Sequence, residues 1–406
     1  MQLHSPPPPA PPATTVTTSP FLKEHTRTTL YIIIITSFFS LFFIVFLPFY
    51  PTRSHLPTRA RPDPFLFPNR LSLSSEIPFE PAPPSIAYLI SGSSGEAGRI
   101  LRLLFATYHP KNHYLLHLDL SAPQTERDLL AIAVQSVPIF RAAQNVNVIG
   151  KADYAYPRGS TPISATLHGA SILLRLSSNW DWFINLSAGD YPLVTQDDLL
   201  HILSYLPKDI NFVNHTSYIG WKESRRLKPI IVDTGLHLLG NREIYYATQK
   251  RDLPTAFTLF SGSSFSILSR SFIEFCILVV CNSHQFKRTV INDNLQYIAF
   301  NQSFMTKPHQ LSSAEFDAMI HGGAAFASAF AFDDLVLDRI DREILERSPG
   351  KVVPGGWCLG EPGNRTCSVW GDADILRPGP GARRLEKHIV ELLTNGRFHS
   401  RQCIVE

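Results

Sequence analysis

The chain is poor in the features that most directly signal a function. Its 37 Lys and Arg residues exceed its 34 Asp and Glu residues by only three. Basic residues gather in no more than short clusters, such as Arg225-Arg226 and Arg383-Arg384. That charge is too small and too scattered for a nucleic-acid footprint, so no nucleic-acid partner is expected. There is no Gly-x-Ser-x-Gly elbow and no carboxylate pair that stands out, which argues against a membrane-bound hydrolase. The five cysteines, Cys276, Cys281, Cys358, Cys367 and Cys403, include no Cys-x-x-Cys and have no His pair beside them, so a zinc centre is not indicated. Cys358 and Cys367 bracket a Gly/Pro-rich loop and are the candidate disulfide; the odd count leaves at least one thiol outside any intrachain pair.

What is present begins with a strongly organised N-terminus. Residues 1–29 open with a Pro- and Thr-rich run without periodicity and read as a disordered cytosolic tail. Residues 30–47, "LYIIIITSFFSLFFIVFL", form an uncharged apolar run close to the ~20 residues that cross a bilayer as a helix. A cleaved signal peptide is the alternative; the run is long for one, and "PFYPTRSH" after it lacks a small-residue cleavage pattern. Positive residues flank both ends, so they do not decide orientation. A single span near the N-terminus with nearly all the mass behind it favours a signal anchor. Residues 48–84 are Pro-rich and suit a semi-rigid stem, and residues 85–406 form the lumenal domain. Sequons stand at Asn185, Asn214, Asn301 and Asn364. Asn364, Asn214 and Asn301 are the glycosylation candidates, while Asn185 in the apolar "WFINLSA" is expected to be buried.

From Ser85 onward, short apolar runs alternate with amphipathic segments. "SIAYLIS", "HYLLHLD", "NVNVIG" and "DWFINLS" read as strands; "EAGRILRLLFATY", "QTERDLLAIAVQS" and "ISATLHGASILLRLS" read as helices. This order predicts an α/β domain with a mostly parallel central sheet and a ligand site beyond the carboxyl ends of its strands. Those ends carry "SGSSGEAG", Asp119, "YPRGST" and "SAGDYPLVTQDD". The Gly-rich loop matches neither the dinucleotide fingerprint nor the Walker A pattern, and is either a tight turn or a phosphate cradle. Asp119 could take a ribose hydrogen bond or cap a helix; Asp190 could orient a sugar hydroxyl or cap a turn. Asp197 and Asp198 read as first-turn acids of the following helix. Asp372-Ala373-Asp374 has the spacing of a metal–phosphate motif but lies far past the nucleotide half, and reads as a chance match.

Several longer stretches carry a resemblance: "AYLISGS", "NHYLLHLDLSAP", "FINLSAGDYPLVTQDDLL", "LPKDINFVNHTSYIGWKESRRLKPIIVDTGL", "LFSGSSFSILSRSFIEFC", "PGGWC" and "LRPGPGARRLEK". They are similar to plant beta-glucuronosyltransferases of the core-2/I-branching glycosyltransferase family, over about Ser85 to Cys403. The resemblance implies a GT-A-like fold, a Golgi membrane location as a single-pass type II protein, and inverting transfer from UDP-glucuronic acid to galactan chains of arabinogalactan proteins. It also implies no metal cofactor, a Glu as base, basic side chains on the diphosphate, and complexes with other Golgi transferases among the partners. By motif, Ser91, Gly92, Asp119, Ser160 and Thr161 fall on the nucleotide side. Ser264 and Phe265 fall on the donor-sugar and acceptor side.

Two departures from the family pattern bear on activity. The helix-like "SFIEFC" runs straight into "ILVVCN", so the connecting stretch that carries the family's catalytic Glu is absent between Ile277 and Val279. Glu274 precedes the gap, and the next carboxylate is Asp293. The family's "FAR-K/R-F" segment, whose basic pair serves the diphosphate, is "FASAF" here, with Ser328 and Ala329 in place of the cations. The resemblance therefore implies a transferase by descent with impaired catalysis. The alternative is a non-catalytic membrane-anchored partner or glycan-binding pseudoenzyme.

Overall fold

The computed structural model describes residues 81–152, 154–156, 159–217, 228–234, 244–252, 258–275, 289–300, 308–359, 367 and 369–394. The expected tail, the span at 30–47 and all but the last four residues of the stem lie outside the described residues. Among the described residues no helix is long and apolar enough to cross a membrane.

The expected alternation of elements is present. The first half of the domain runs β1 (Ile86–Gly92), α1 (Ala97–Ala106), β2 (His113–Leu118), α2 (Gln124–Ser136), α3 (Pro138–Ala143), β3 (Val146–Val148), α4 (Thr161–Leu176) and β4 (Trp182–Ser187). Next come β5 (Tyr191–Pro192), α5 (Gln196–Ser204), β6 (Asn211–Phe212), β7 (His215–Thr216), β8 (Pro229–Asp233), β9 (Ile244–Lys250), β10 (Ser261–Gly262) and β11 (Ile267–Ser269). The last part holds α6 (Arg270–Phe275), β12 (Val290–Ile291), β13 (Gln296–Ile298), α7 (Phe316–His321), β14 (Phe326–Ser328), α8 (Leu335–Glu343), β15 (Cys358–Leu359), β16 (Val369–Trp370) and α9 (Pro380–Thr394).

Seven strands form the central sheet in the order β12-β6-β11-β4-β1-β2-β3. Four of its six pairings are parallel, and β11 runs antiparallel between β4 and β6. The sheet is covered on both faces, which explains why its strands read as nearly continuous apolar runs. Along β1, Ile86, Tyr88 and Ile90 face one core with α1, α2, α5, α8 and α9, while Ala87 and Leu89 face the other with α4 and α6. Helix α4 approaches closely enough that a Cβ on Gly169 would sit 2.8 Å from the Leu89 methyls, so any larger residue there would overpack the second core.

The expected Cys358–Cys367 disulfide is formed. Asp197 and Asp198 are first-turn acids of α5, as read from the sequence, and they also tie in the C-terminal segment. Thr195 and Asp198 make a reciprocal capping box. Asp197 accepts from the N–H groups of Gly356 at 2.7 Å and Arg377 at 2.6 Å, and Asp198 accepts from that of Gly379 at 2.6 Å.

Candidate active site

The central sheet changes from parallel to antiparallel at β4, which lies between β1 and β11. Beyond the carboxyl end of β4 a cavity of about 620 Å³ opens, where open α/β sheets place their ligands. Strand β4 contributes Asn185 and Ser187, and the turn after it contributes Asp190. Asn214, just before β7, lines it with Thr216 and Ser261 of the β7–β10 pair; the β13–β14 pair supplies Gln296, Ile298 and Ser328. Ser264 and Phe265, which the resemblance assigns to the donor-sugar and acceptor side, lie in this lining, and Phe265 packs its ring 5.5 Å from that of Phe326.

Asp190 is the one charged side chain among the described lining residues. It caps the turn after β4 and also lines the cavity. Its Oδ2 accepts from the Ser187 N–H at 2.7 Å and its Oδ1 from Gln296 Nε2 at 3.1 Å, and Ser328 supplies a further side-chain hydrogen bond. Burial pushes its carboxyl above the usual range, opposed by the Ser328 and Ser187 hydrogen bonds and by the Arg99 charge. The adjacent Tyr191 is fixed from behind. Its hydroxyl donates to Asp341 Oδ1 at 2.6 Å and accepts from Arg347 at 2.8 Å, while Asp341 accepts from both Arg347 and Arg102. No sequence motif marks that buried network.

The residues expected on the nucleotide side lie apart from this cavity's described lining. Ser91 pairs with Ser187 across β1 and β4, and the Asp119 N–H donates to the Gly92 carbonyl at 2.9 Å, so Ser91, Gly92 and Asp119 share the strand-end edge. A Cβ on Gly92 would lie 2.9 Å from the end of the Ile100 side chain, so a larger residue there would require that side chain to shift. Asp119 folds back onto its own turn, accepting from the Ser121 N–H at 3.0 Å and from the Ser121 hydroxyl.

Both candidate anion sites are filled by the chain's own carboxylates. In the Gly-rich loop, Glu126 of α2 accepts from the N–H groups of Gly95 at 3.0 Å and Ala97 at 3.1 Å. At the start of α4, beside Ser160, Asp233 of β8 accepts from the Thr161 N–H at 2.9 Å. The loop is thus a turn closed by an internal acid.

Asn185, expected to be buried, is half-buried at the cavity, because β4 ends there and its Nδ2 donates to the Ser264 carbonyl at 3.0 Å. Asn214 is exposed and lines the cavity, whereas Asn301 and Asn364 lie outside the described residues. The Ile277–Val279 junction also lies outside them; α6 is described to Phe275. Asp372 accepts from the Asp374 N–H at 2.8 Å, and Asp374 pairs with Lys111, 263 residues away, so both acids of that motif have partners within the fold. Among the described residues no group of three His, Cys, Asp or Glu could hold a metal ion.

The family model for the core-2/I-branching enzyme matches residues 86–279. Over 351 residues the chain is 45% identical to beta-glucuronosyltransferase GlcAT14A of Arabidopsis thaliana, covering 80% of this chain and 78% of that protein. It is 46% identical over 346 residues to GlcAT14B, covering 78% and 80%, and 40% identical over 365 residues to GlcAT14C, covering 83% and 88%, both of Arabidopsis thaliana. The chain belongs to the core-2/I-branching enzyme family. As a glycosyltransferase of this family it has a nucleotide-sugar donor and a glycan acceptor to bring together. The family match ends at residue 279.

Proposed function

We propose that this core-2/I-branching protein descends from a GT-A-like, metal-independent Golgi beta-glucuronosyltransferase, anchored by residues 30–47, and that its own transfer step is impaired. The reaction of that lineage carries glucuronic acid from UDP-glucuronic acid to a galactan chain with inversion. The acceptor hydroxyl gives its proton to a carboxylate while its oxygen attacks the anomeric carbon; the bond to the β-phosphate oxygen breaks and UDP leaves on the opposite face. The leaving diphosphate is anionic and needs cations or strong donors aimed at it.

The observation that carries the impairment is the absence of a cation among the described cavity residues, with Ser328 standing where the family places a basic side chain. The missing Glu-bearing connection adds to it. Transfer to a β-galactan oligosaccharide, measured with the full-length protein in detergent beside GlcAT14A, is expected to be about a hundredfold slower or worse. Equal turnover would refute the impairment. An in-frame exon in the genomic interval encoding Ile277 to Val279 would restore the Glu and leave Ser328 and Ala329 as they are.

The second reading, a glycan-binding partner without chemistry, is favoured by Glu126 and Asp233, which occupy the two backbone sites otherwise suited to phosphate. Co-purification with an active transferase, together with no heat of UDP binding, supports it; saturable UDP binding refutes it.

A further inference from the structure

The cavity beyond β4 fits one class of ligand better than its ancestry suggests. Its described walls present the amides of Asn185, Asn294 and Gln296 and a series of Ser and Thr hydroxyls. Such groups, both donors and acceptors, match the hydroxyls of a sugar. Phe300, 53% exposed and part of the lining, offers a flat apolar face to the C–H side of a pyranose ring.

Among the described lining residues there is no cation to compensate a second negative charge. Asp190 is held by the neutral groups of Ser187, Gln296 and Ser328. The Arg99 guanidinium acts on it only from behind. That group is committed to the Phe330 carbonyl at 2.8 Å and to Glu96 at 3.3 Å, and is not among the described lining residues. A ligand carboxylate or phosphate entering here would meet a fixed like charge in a partly desolvated site, where repulsion is weakly screened.

We propose that the cavity selects an uncharged pyranose chain and rejects sugars that carry a carboxylate or phosphate. Asp190 is the specificity-determining residue, and Ser328 leaves it without a cation among the described lining residues. This rests on the glycan-site reading above and deepens it: of a transferase's two ligands, the cavity retains the neutral acceptor. A basic residue at position 328 would stand against Asp190 and make a uronic acid tolerable, which gives the inference a reverse test.

Calorimetric titration of the full-length protein in detergent would use a neutral β-galactan oligosaccharide and the same oligosaccharide capped with one glucuronic acid. The neutral ligand should bind with little dependence on salt, and the capped one about tenfold or more weakly. Asp190→Asn should bring the two within about twofold, by removing the charge while keeping the shape. Ser328→Arg should narrow the gap from the other side, so the test survives if one variant fails to fold. Equal binding of both ligands by the wild type, or an unchanged preference in the variants, overturns the inference and leaves the transferase reading standing. No binding of either ligand overturns both.

Discussion

Asp233 of β8 accepts a 2.9 Å hydrogen bond from the backbone N–H of Thr161, at the first turn of the 16-residue helix α4. Thr161 is buried, so its N–H has no access to bulk water in exchange. The carboxylate also meets the positive end of the helix dipole. The latch therefore joins the β8–β9 ribbon to the helix that covers the second face of the sheet.

Replacing Asp233 with Ala should destabilise the domain by about 1–3 kcal/mol, since the N–H stays buried and unpaired. Asp233→Asn keeps an acceptor and should lose less than half of that. Urea midpoints of the two variants against wild type decide it. Equal midpoints for Asp233→Ala and wild type would mean the latch contributes nothing.

The network behind Tyr191 makes a larger prediction. Arg347 is buried, and two of its three guanidinium nitrogens donate to Asp341 at 2.6 and 2.7 Å. Asp341→Ala leaves that guanidinium without its partner and should lose about 3–5 kcal/mol, a large share of a domain's stability. An Asp341→Leu, Arg347→Met pair should recover most of the loss, because it removes the buried pair together while Arg102 keeps Asp338 at 2.7 Å. If the pair is no more stable than Asp341→Ala, uncompensated charge is not the cause.

How much of this arrangement was legible in the sequence depends on the range of the interactions. Strands β1, β2 and β4 were visible because both sheet faces are covered, which writes unbroken apolar runs; α2 has the limits its amphipathic pattern predicted. Ser264 and Phe265 were placed by motif and do line the cavity. Gln296 and Asn294 were not foreseen, since short strands carry little periodicity and β13 finds β14 far along the chain. The filling of the anion sites was also hidden. Glu126 and Asp233 act on backbone groups 31 and 72 residues away, and nothing local to either acid marks its target.

Acid stability should expose a compensating pair. Buried His109 has its ring pKa lowered to about 3 by desolvation, aided by Lys111. Asp197, 3.6 Å away, is pushed up to about 6 by burial against hydrogen bonds from Gly356 and Arg377. For His109 the unfolded chain binds the proton more tightly between its ordinary value of 6.5 and about 3, so stability falls as pH falls. For Asp197 the folded chain binds the proton more tightly between 3.8 and about 6, so stability falls as pH rises. The two slopes, each at most about 1.4 kcal/mol per pH unit, oppose one another over the shared window. Asp197→Asn should therefore steepen the acid loss of stability, and His109→Asn should reverse its sign between pH 3.8 and about 6. Denaturant midpoints at half-unit pH steps would show this; parallel profiles for the two variants would refute it.

Gly262 separates cavity shape from overall stability. It sits in β10 opposite His215 of β7, and a Cβ there would lie 2.2 Å from the Asn214 carbonyl oxygen. That atom is backbone and cannot rotate away, so Gly262→Ala must push β10 from β7. Both strands line the cavity, through Thr216 and Ser261, yet the pair is two residues long and exposed on the β10 side. Displacing such a short edge pair should lower stability by about 1–2 kcal/mol, within the range for overpacking. Glycan binding should suffer more, since displaced hydrogen-bonding groups no longer match a sugar's hydroxyls, and a loss of about tenfold or more is expected. Calorimetric titration with the neutral galactan oligosaccharide, run beside a melting curve, distinguishes the outcomes. Unchanged affinity with a lowered melting temperature would place the sugar elsewhere, because a ligand between these strands cannot ignore their separation.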